Sequence, residues 1–130
     1  MEAADNVRFK AFGLNIFSGS IDDVVGIIHG WIRLNTHKYV CVTGAHGVVE
    51  TSRHRNVLRA HKHAGLIVPD GTPLVWLGKY LGYSHTKRIY GPDLFMEICS
   101  RAEMEGWTVF LYGTTTTTLK KLCERLGVRF

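Results

Sequence analysis

The sequence predicts an α/β chain: a Rossmann-like, mostly parallel sheet with helices on both faces, incomplete at its C-terminus. Three observations carry this. Tyr39-Val40-Cys41-Val42, Leu66-Ile67-Val68 and Val109-Phe110-Leu111-Tyr112 are short unbroken apolar runs, the composition of parallel strands covered on both sides. Helix-period stretches stand between and after them, so strand and helix alternate as in right-handed crossover units. With 130 residues, 45% of them apolar, the chain is long enough to bury a core.

The elements follow in chain order. Val7 to Phe17 holds two short apolar pieces around Gly13 and predicts a hairpin or edge strand. Ser20-Ile21-Asp22-Asp23 reads as a capping box, because the serine oxygen can accept an orphan backbone N–H and acids suit a helix start. Val24, Val25, Ile27, Ile28, Trp31 and Ile32 then form a helical apolar stripe up to about Asn35. A short helix over Val48 to Ser52 follows the first apolar run. Leu94, Phe95, Ile98, Cys99 and Ala102 share one helical face, with Glu97, Arg101 and Glu105 pointing away and Gly106 ending the element. Thr115 to Leu126 predicts a last helix closed by Gly127. No linker or repeat divides residues 1–130, which read as one domain. Val128-Arg129-Phe130 stands where the alternation calls for another strand, so the expectation is the N-terminal part of a larger sheet.

Composition narrows the function. Charged residues make up 21%, and the one biased tract is Thr114 to Thr118, so a disordered tail is excluded. Cys41, Cys99 and Cys123 are odd in number and form no C-x-x-C pair, which predicts a reducing compartment and neither a disulfide framework nor a zinc ribbon. Residues 1–5 lack a basic, then apolar, export leader, and no apolar run approaches the roughly 18 to 20 residues of a membrane span. Sixteen Lys and Arg against 11 Asp and Glu give a net charge of +5, which favours phosphate-bearing or anionic partners without choosing one. The positive charge concentrates in Arg53 to His63 and in Lys79, His85, Lys87 and Arg88, equally the composition of a solvated helix face and loop. No nucleic-acid motif is recognised and no aromatic platform stands beside the Arg53 to His63 stretch, so no nucleic-acid partner is expected.

Ligands of open parallel sheets bind beyond the carboxyl ends of the strands. Three glycine-bearing loops occupy those places: Thr43-Gly44-Ala45-His46-Gly47, Pro69-Asp70-Gly71-Thr72-Pro73, and Gly113-Thr114. Each precedes a helix whose backbone N–H groups can meet a phosphate. Asp70 is the one acid among them, placed either for general-base work or for ordinary turn and N-cap chemistry. Thr43 is placed either to hold a substrate oxygen or to cap the next helix. The threonine run after Gly113 offers hydroxyls to a phosphate or simply starts a helix. His46, His54, His61 and His63 match neither H-E-x-x-H nor C2H2 spacing, so no metal is expected. The signatures of dinucleotide oxidoreductases, P-loop NTPases and α/β-hydrolases are missing from the sequence.

Three blocks in order, Cys41-Val42-Thr43-Gly44-Ala45-His46-Gly47-Val48-Val49-Glu50, Ala64 to Trp76 around Pro69-Asp70-Gly71, and Arg88-Ile89-Tyr90-Gly91-Pro92-Asp93-Leu94, resemble the WecG/TagA/CpsF family of bacterial glycosyltransferases. The resemblance runs from about Val7 to the last residue. It implies transfer of a sugar from a nucleotide diphosphate donor, expected to be a UDP-sugar, to a polyprenyl-diphosphate-linked sugar in exopolysaccharide, teichoic acid or other cell-envelope synthesis. It further implies inversion at the anomeric carbon, no metal or other cofactor, and a cytoplasmic place with peripheral contact at the inner membrane face; a homo-oligomer is compatible with it.

By the same resemblance, Asp70 is the base that deprotonates the acceptor hydroxyl and Thr43 lies in the substrate pocket. Arg88 faces diphosphate, and Gly71, Gly91, Asp93, Gly113 and Thr114 contribute substrate contacts. The chain departs from the common pattern at Ala45, where many members carry Asn, and His46 is the substitute hydrogen-bonding group. It departs again at Thr114, where a second glycine is common. The family also continues well past Phe130, which keeps open a second reading: an inactive remnant, or a module that binds phosphate and sugar without turnover.

Overall fold

The computed structural model describes residues 7–130; the leader expectation for residues 1–5 lies outside the described residues. The chain is α/β and divides into two compact units, Met1–Leu94 and Phe95–Phe130.

In the first unit, β1 (Arg8–Ala11) and β2 (Leu14–Phe17) form the expected antiparallel hairpin, with Arg8 opposite Phe17 and Ala11 opposite Leu14. Its two-residue turn places Phe12 at φ 54° and Gly13 at φ 77°. Two successive positive φ values make a type I′ turn, whose twist matches the strands and which glycine adopts without a Cβ clash. Alternation then sets the faces: Phe9, Ala11, Leu14 and Ile16 are buried, whereas Lys10 and Asn15 are exposed.

Helix α1 (Ile21–Arg33) starts at the predicted capping box, with Ser20 as N-cap and Asp23 returning the bond. Strand β3 (Val40–Thr43) then pairs in parallel with β4 (Leu66–Pro69), Val40 opposite Leu66 and Thr43 opposite Pro69. Two helices rather than one make this crossover, α2 (Ala45–Arg53) and α3 (Arg55–His63), divided at His54, whose extended backbone ends one and starts the other. Helix α4 (Thr72–Tyr80) follows β4. Phe9, Leu14, Ile16, Val48, Ile67 and Leu74 form a common core, and the ring of Phe9 meets that of Tyr83 at 5.6 Å. All of β4 is buried; β3 is covered less completely, for Val42 is 41% exposed.

Helix α5 (Gly91–Glu105) ends as predicted before Gly106, at φ 71°. Within the second unit, two expectations are corrected. Val109 to Tyr112 forms no strand: Phe110 and Tyr112 are 86% and 93% exposed. Its composition is that of a buried parallel strand, but composition provides no partner for the backbone N–H and C=O groups. The final helix, α6 (Thr116–Arg129), runs through Gly127 instead of stopping there, because a single glycine weakens a helix by only about 1 kcal/mol without forbidding it. Parallel pairing among the described residues is therefore confined to β3 and β4.

Candidate active site

One hydrogen bond extends the β3–β4 ladder past its last pair, and a second ties the segment after α4 to the end of β4. The N–H of Asp70 donates to the Thr43 carbonyl at 2.9 Å, and the N–H of Ile89 donates to the Pro69 carbonyl at 2.8 Å. Asp70 thus stands at the carboxyl edge of the parallel pair, and the segment after α4 is brought back against it. Ile89 is wholly buried. Its neighbours Arg88 and Tyr90 are both exposed, and the Arg88 guanidinium lies over the Tyr90 ring, 4.9 Å from its centre. Arg88 Nη2 meets Asp70 Oδ1 at 3.4 Å, with the Asp70 side chain 25% exposed and that of Arg88 54%. In so wet a setting the pair adds little stability, about 0–1 kcal/mol. Its interest is chemical: a carboxylate and a guanidinium share one edge.

The backbone is close-set there. A Cβ on Gly44 would stand 2.9 Å from the Asp70 carbonyl oxygen, and one on Gly91 would stand 4.0 Å from Asp70 Oδ2. Gly44 is the N-cap of α2 and Gly71 the N-cap of α4, and neither helix has a side-chain cap. Elsewhere Ser20 caps α1 and Thr115 caps α6. Helix α3 likewise lacks a side-chain cap, but α2 and α4 start beside Asp70, where first-turn N–H groups free of a side-chain cap suit anionic oxygens.

The helix-capping alternatives can be answered from these geometries. Asp70 does not cap α4, since Gly71 holds that position; its carboxylate faces Arg88. Thr43 does not cap α2, since Gly44 does. Thr43 is instead 3% exposed, and its hydroxyl is 2.9 Å from Nε2 of His61. Gly44, Gly71, Arg88 and Gly91 gather around Asp70, while His46 is exposed in the first turn of α2 and Asp93 in that of α5. Gly113 and Thr114 belong to the second unit, where Gly113 takes φ 146° and the Thr115 hydroxyl accepts the Thr118 N–H at 3.3 Å. That tract therefore supplies a helix cap.

His61 and Tyr90 escape the sequence reading as site neighbours. His61 falls inside a basic stretch and reads as one more surface cation, yet it lies on the inner face of α3. Its Nδ1 meets the Val57 carbonyl at 2.9 Å, but exposed His63 makes the same bond to the Arg59 carbonyl, so no signal in the sequence separates the two. Among the described residues, no three His, Cys, Asp or Glu side chains gather as a metal site, and no helix is long and apolar enough to cross a membrane.

A sequence model described as "Glycosyl transferase WecG/TagA/CpsF family" matches residues 9–130. The chain belongs to this family. Within it, the chain is 31% identical over 78 residues to the N-acetylglucosaminyldiphosphoundecaprenol N-acetyl-beta-D-mannosaminyltransferase of Bacillus spizizenii. The alignment takes in 60% of this chain and 29% of that relative, so the chain spans well under two thirds of the relative's length. The blocks around Thr43, Asp70 and Arg88, which carry the resemblance to the WecG/TagA/CpsF family in the sequence, are the ones folded around the edge of β3 and β4.

Proposed function

We propose that this chain carries the acceptor-activating part of a glycosyltransferase. It moves a sugar from a nucleotide diphosphate donor, of the UDP class, to N-acetylglucosamine linked through diphosphate to a polyprenyl lipid, at the cytoplasmic face of the membrane. The observation that supports this most is the Asp70 carboxylate: spent on no helix cap, set at the carboxyl edge of a parallel pair, and flanked by Arg88 and two helix starts without side-chain caps.

Asp70 accepts the proton of the acceptor hydroxyl as that oxygen attacks the anomeric carbon. The bond from the anomeric carbon to the donor's phosphate oxygen breaks on the opposite face, which inverts the centre. The electron pair leaves on the diphosphate, whose growing charge Arg88 and backbone N–H groups are suited to receive. The name of the Bacillus spizizenii relative states an acceptor and a transferred sugar of this kind, and family membership supports carrying both over to this chain.

Calorimetric titration of UDP and of a short-chain prenyl-diphosphate N-acetylglucosamine, followed by sugar-transfer assays on the same samples, tests the reading. Saturable binding and transfer are expected; a folded chain that binds neither ligand contradicts it.

A further inference from the structure

A cavity of about 280 Å3 opens within the first unit, between the N-terminal hairpin and α3. Arg8, Asn15, His61 and Lys62 supply its polar wall, and Leu14 and Ile67 its apolar one. It has several times the volume of the about 30 Å3 that one water occupies in the liquid. No carboxylate lines it, and residues 51–69, which include all of α3, contain no Asp or Glu. Among the described residues Arg8 makes one hydrogen bond, from Nη2 to the Gly65 carbonyl at 3.0 Å, and neither Arg8 nor Lys62 has an acidic partner. Two cations, an amide and an imidazole therefore line the cavity, with no counter-charge among the described residues.

The imidazole is wired to the active site. Nδ1 of His61 faces the Val57 carbonyl, which can only accept, so Nδ1 carries a proton. In the neutral ring Nε2 is then bare and accepts the Thr43 hydroxyl proton across 2.9 Å, leaving Thr43 to present lone pairs. Protonation reverses this bond: Nε2–H donates to Thr43 Oγ1, and the hydroxyl proton is freed to donate elsewhere.

We propose that this cavity is a site for a phosphate group, and that its occupancy switches Thr43 from hydrogen-bond acceptor to donor by favouring the protonated form of His61. A dianion beside the ring stabilises imidazolium. By linkage, protonation of His61 tightens the anion in equal measure. Among the other titratable groups, Asp70 at the strand end beside Thr43 meets Arg88. Cys41, in the adjoining core, has its thiol pushed up by burial and stays neutral. Of the α2 groups, Glu50 is engaged by His54 at 3.3 Å and Arg53 at 3.9 Å, and His46 is exposed. His63 on α3 is exposed and held to the Arg59 carbonyl. Thr43 is the residue through which His61 acts, so His61 is a positioning residue; that consequence for sugar transfer rests on the function proposed above, whereas the anion site does not.

The test is 15N imidazole NMR on the whole chain, titrated at constant ionic strength with inorganic phosphate in one series and UDP in another. Without phosphate, His61 is expected as the Nδ1–H tautomer. Saturating phosphate should raise its protonation midpoint by about one unit, equivalent to tenfold tighter phosphate binding to the protonated ring. Lys62→Gln, at an exposed position that the fold does not need, should weaken phosphate about tenfold and leave the tautomer intact. Thr43→Val should leave phosphate binding in place and move the Nε2 resonance. If UDP alone produces the Lys62-dependent shift, the phosphate is the donor's own; if inorganic phosphate produces it, the site is independent of the donor. His61 resonances unmoved by both ligands, or Lys62→Gln binding as the wild type does, would overturn the proposal. These readouts need no turnover, so they bear on the cavity whatever the sugar-transfer assay returns.

Discussion

The Arg88 guanidinium stands 3.4 Å from the Asp70 carboxylate and over the Tyr90 ring, so the cation and the carboxylate of the candidate site are neighbours. On the proposed function, a diphosphate entering this edge competes with Asp70 for Arg88. Arg88→Lys keeps the charge but loses the planar fork and its stacking on Tyr90. UDP affinity measured by calorimetry is expected to fall about tenfold. Unchanged affinity would remove Arg88 from phosphate binding.

Gly44 tests how tightly the edge is built. Its added Cβ would meet the Asp70 carbonyl oxygen at 2.9 Å, and backbone cannot step aside as a flexible side chain can. Gly44→Ala is expected to cost about 1–3 kcal/mol in chemical denaturation, and to weaken ligand binding in the fraction that folds. A variant as stable as the parent would show that β4 yields easily at this point.

The capping box predicts an acid-sensitive helix. Asp23 Oδ2 accepts the Ser20 N–H and the Ser20 hydroxyl, both at 2.8 Å. The Ser20 backbone bond, then its side-chain bond, hold the Asp23 carboxyl below its ordinary value of 3.8, with Lys87 adding a smaller pull. Because the folded value is the lower one, this stabilisation is fully present above 3.8 and is lost as pH falls through the folded value. Ser20→Ala should cost about 1 kcal/mol at neutral pH, and Asp23→Asn should flatten the fall in stability below about pH 4. An unchanged acid limb in Asp23→Asn would assign that loss to other carboxylates.

How much of this was legible in the residues depends on the range of the interaction. The hairpin around Gly13, the capping box at Ser20 and the end of α5 at Gly106 are local devices, and each stands where its own few residues place it. Val109 to Tyr112 failed because strand formation depends on a partner for the backbone, which an apolar run does not encode. Thr43 and Asp70 could be placed at strand ends but not assigned partners: the alternatives of helix cap and site residue differ only in where a side chain turns. His61 was hidden by its charged neighbours, since one inward position on a basic helix changes composition very little.

Ser18 and Thr86 form a buried pair across the first unit. Thr86 Oγ1 donates to the Tyr83 carbonyl at 2.7 Å, so the Ser18 hydroxyl donates to Thr86 at 2.8 Å. Thr86→Val leaves both the Ser18 hydroxyl and the Tyr83 carbonyl without this partner and is expected to cost about 1–3 kcal/mol. Adding Ser18→Ala should recover part of that loss in a double-mutant cycle. Strict additivity would mean that the two hydroxyls do not depend on each other.

The central claim is that Asp70 takes the acceptor proton, and Asp70→Asn tests it most directly. Sugar transfer from a UDP-sugar to a prenyl-diphosphate-linked acceptor is measured by mass spectrometry for both proteins, with acceptor affinity measured on the same samples. The account predicts a loss of at least about 100-fold in turnover, with acceptor affinity kept within about threefold. Asparagine cannot accept the proton but fills the same space. Transfer by Asp70→Asn at the parent rate would contradict the account.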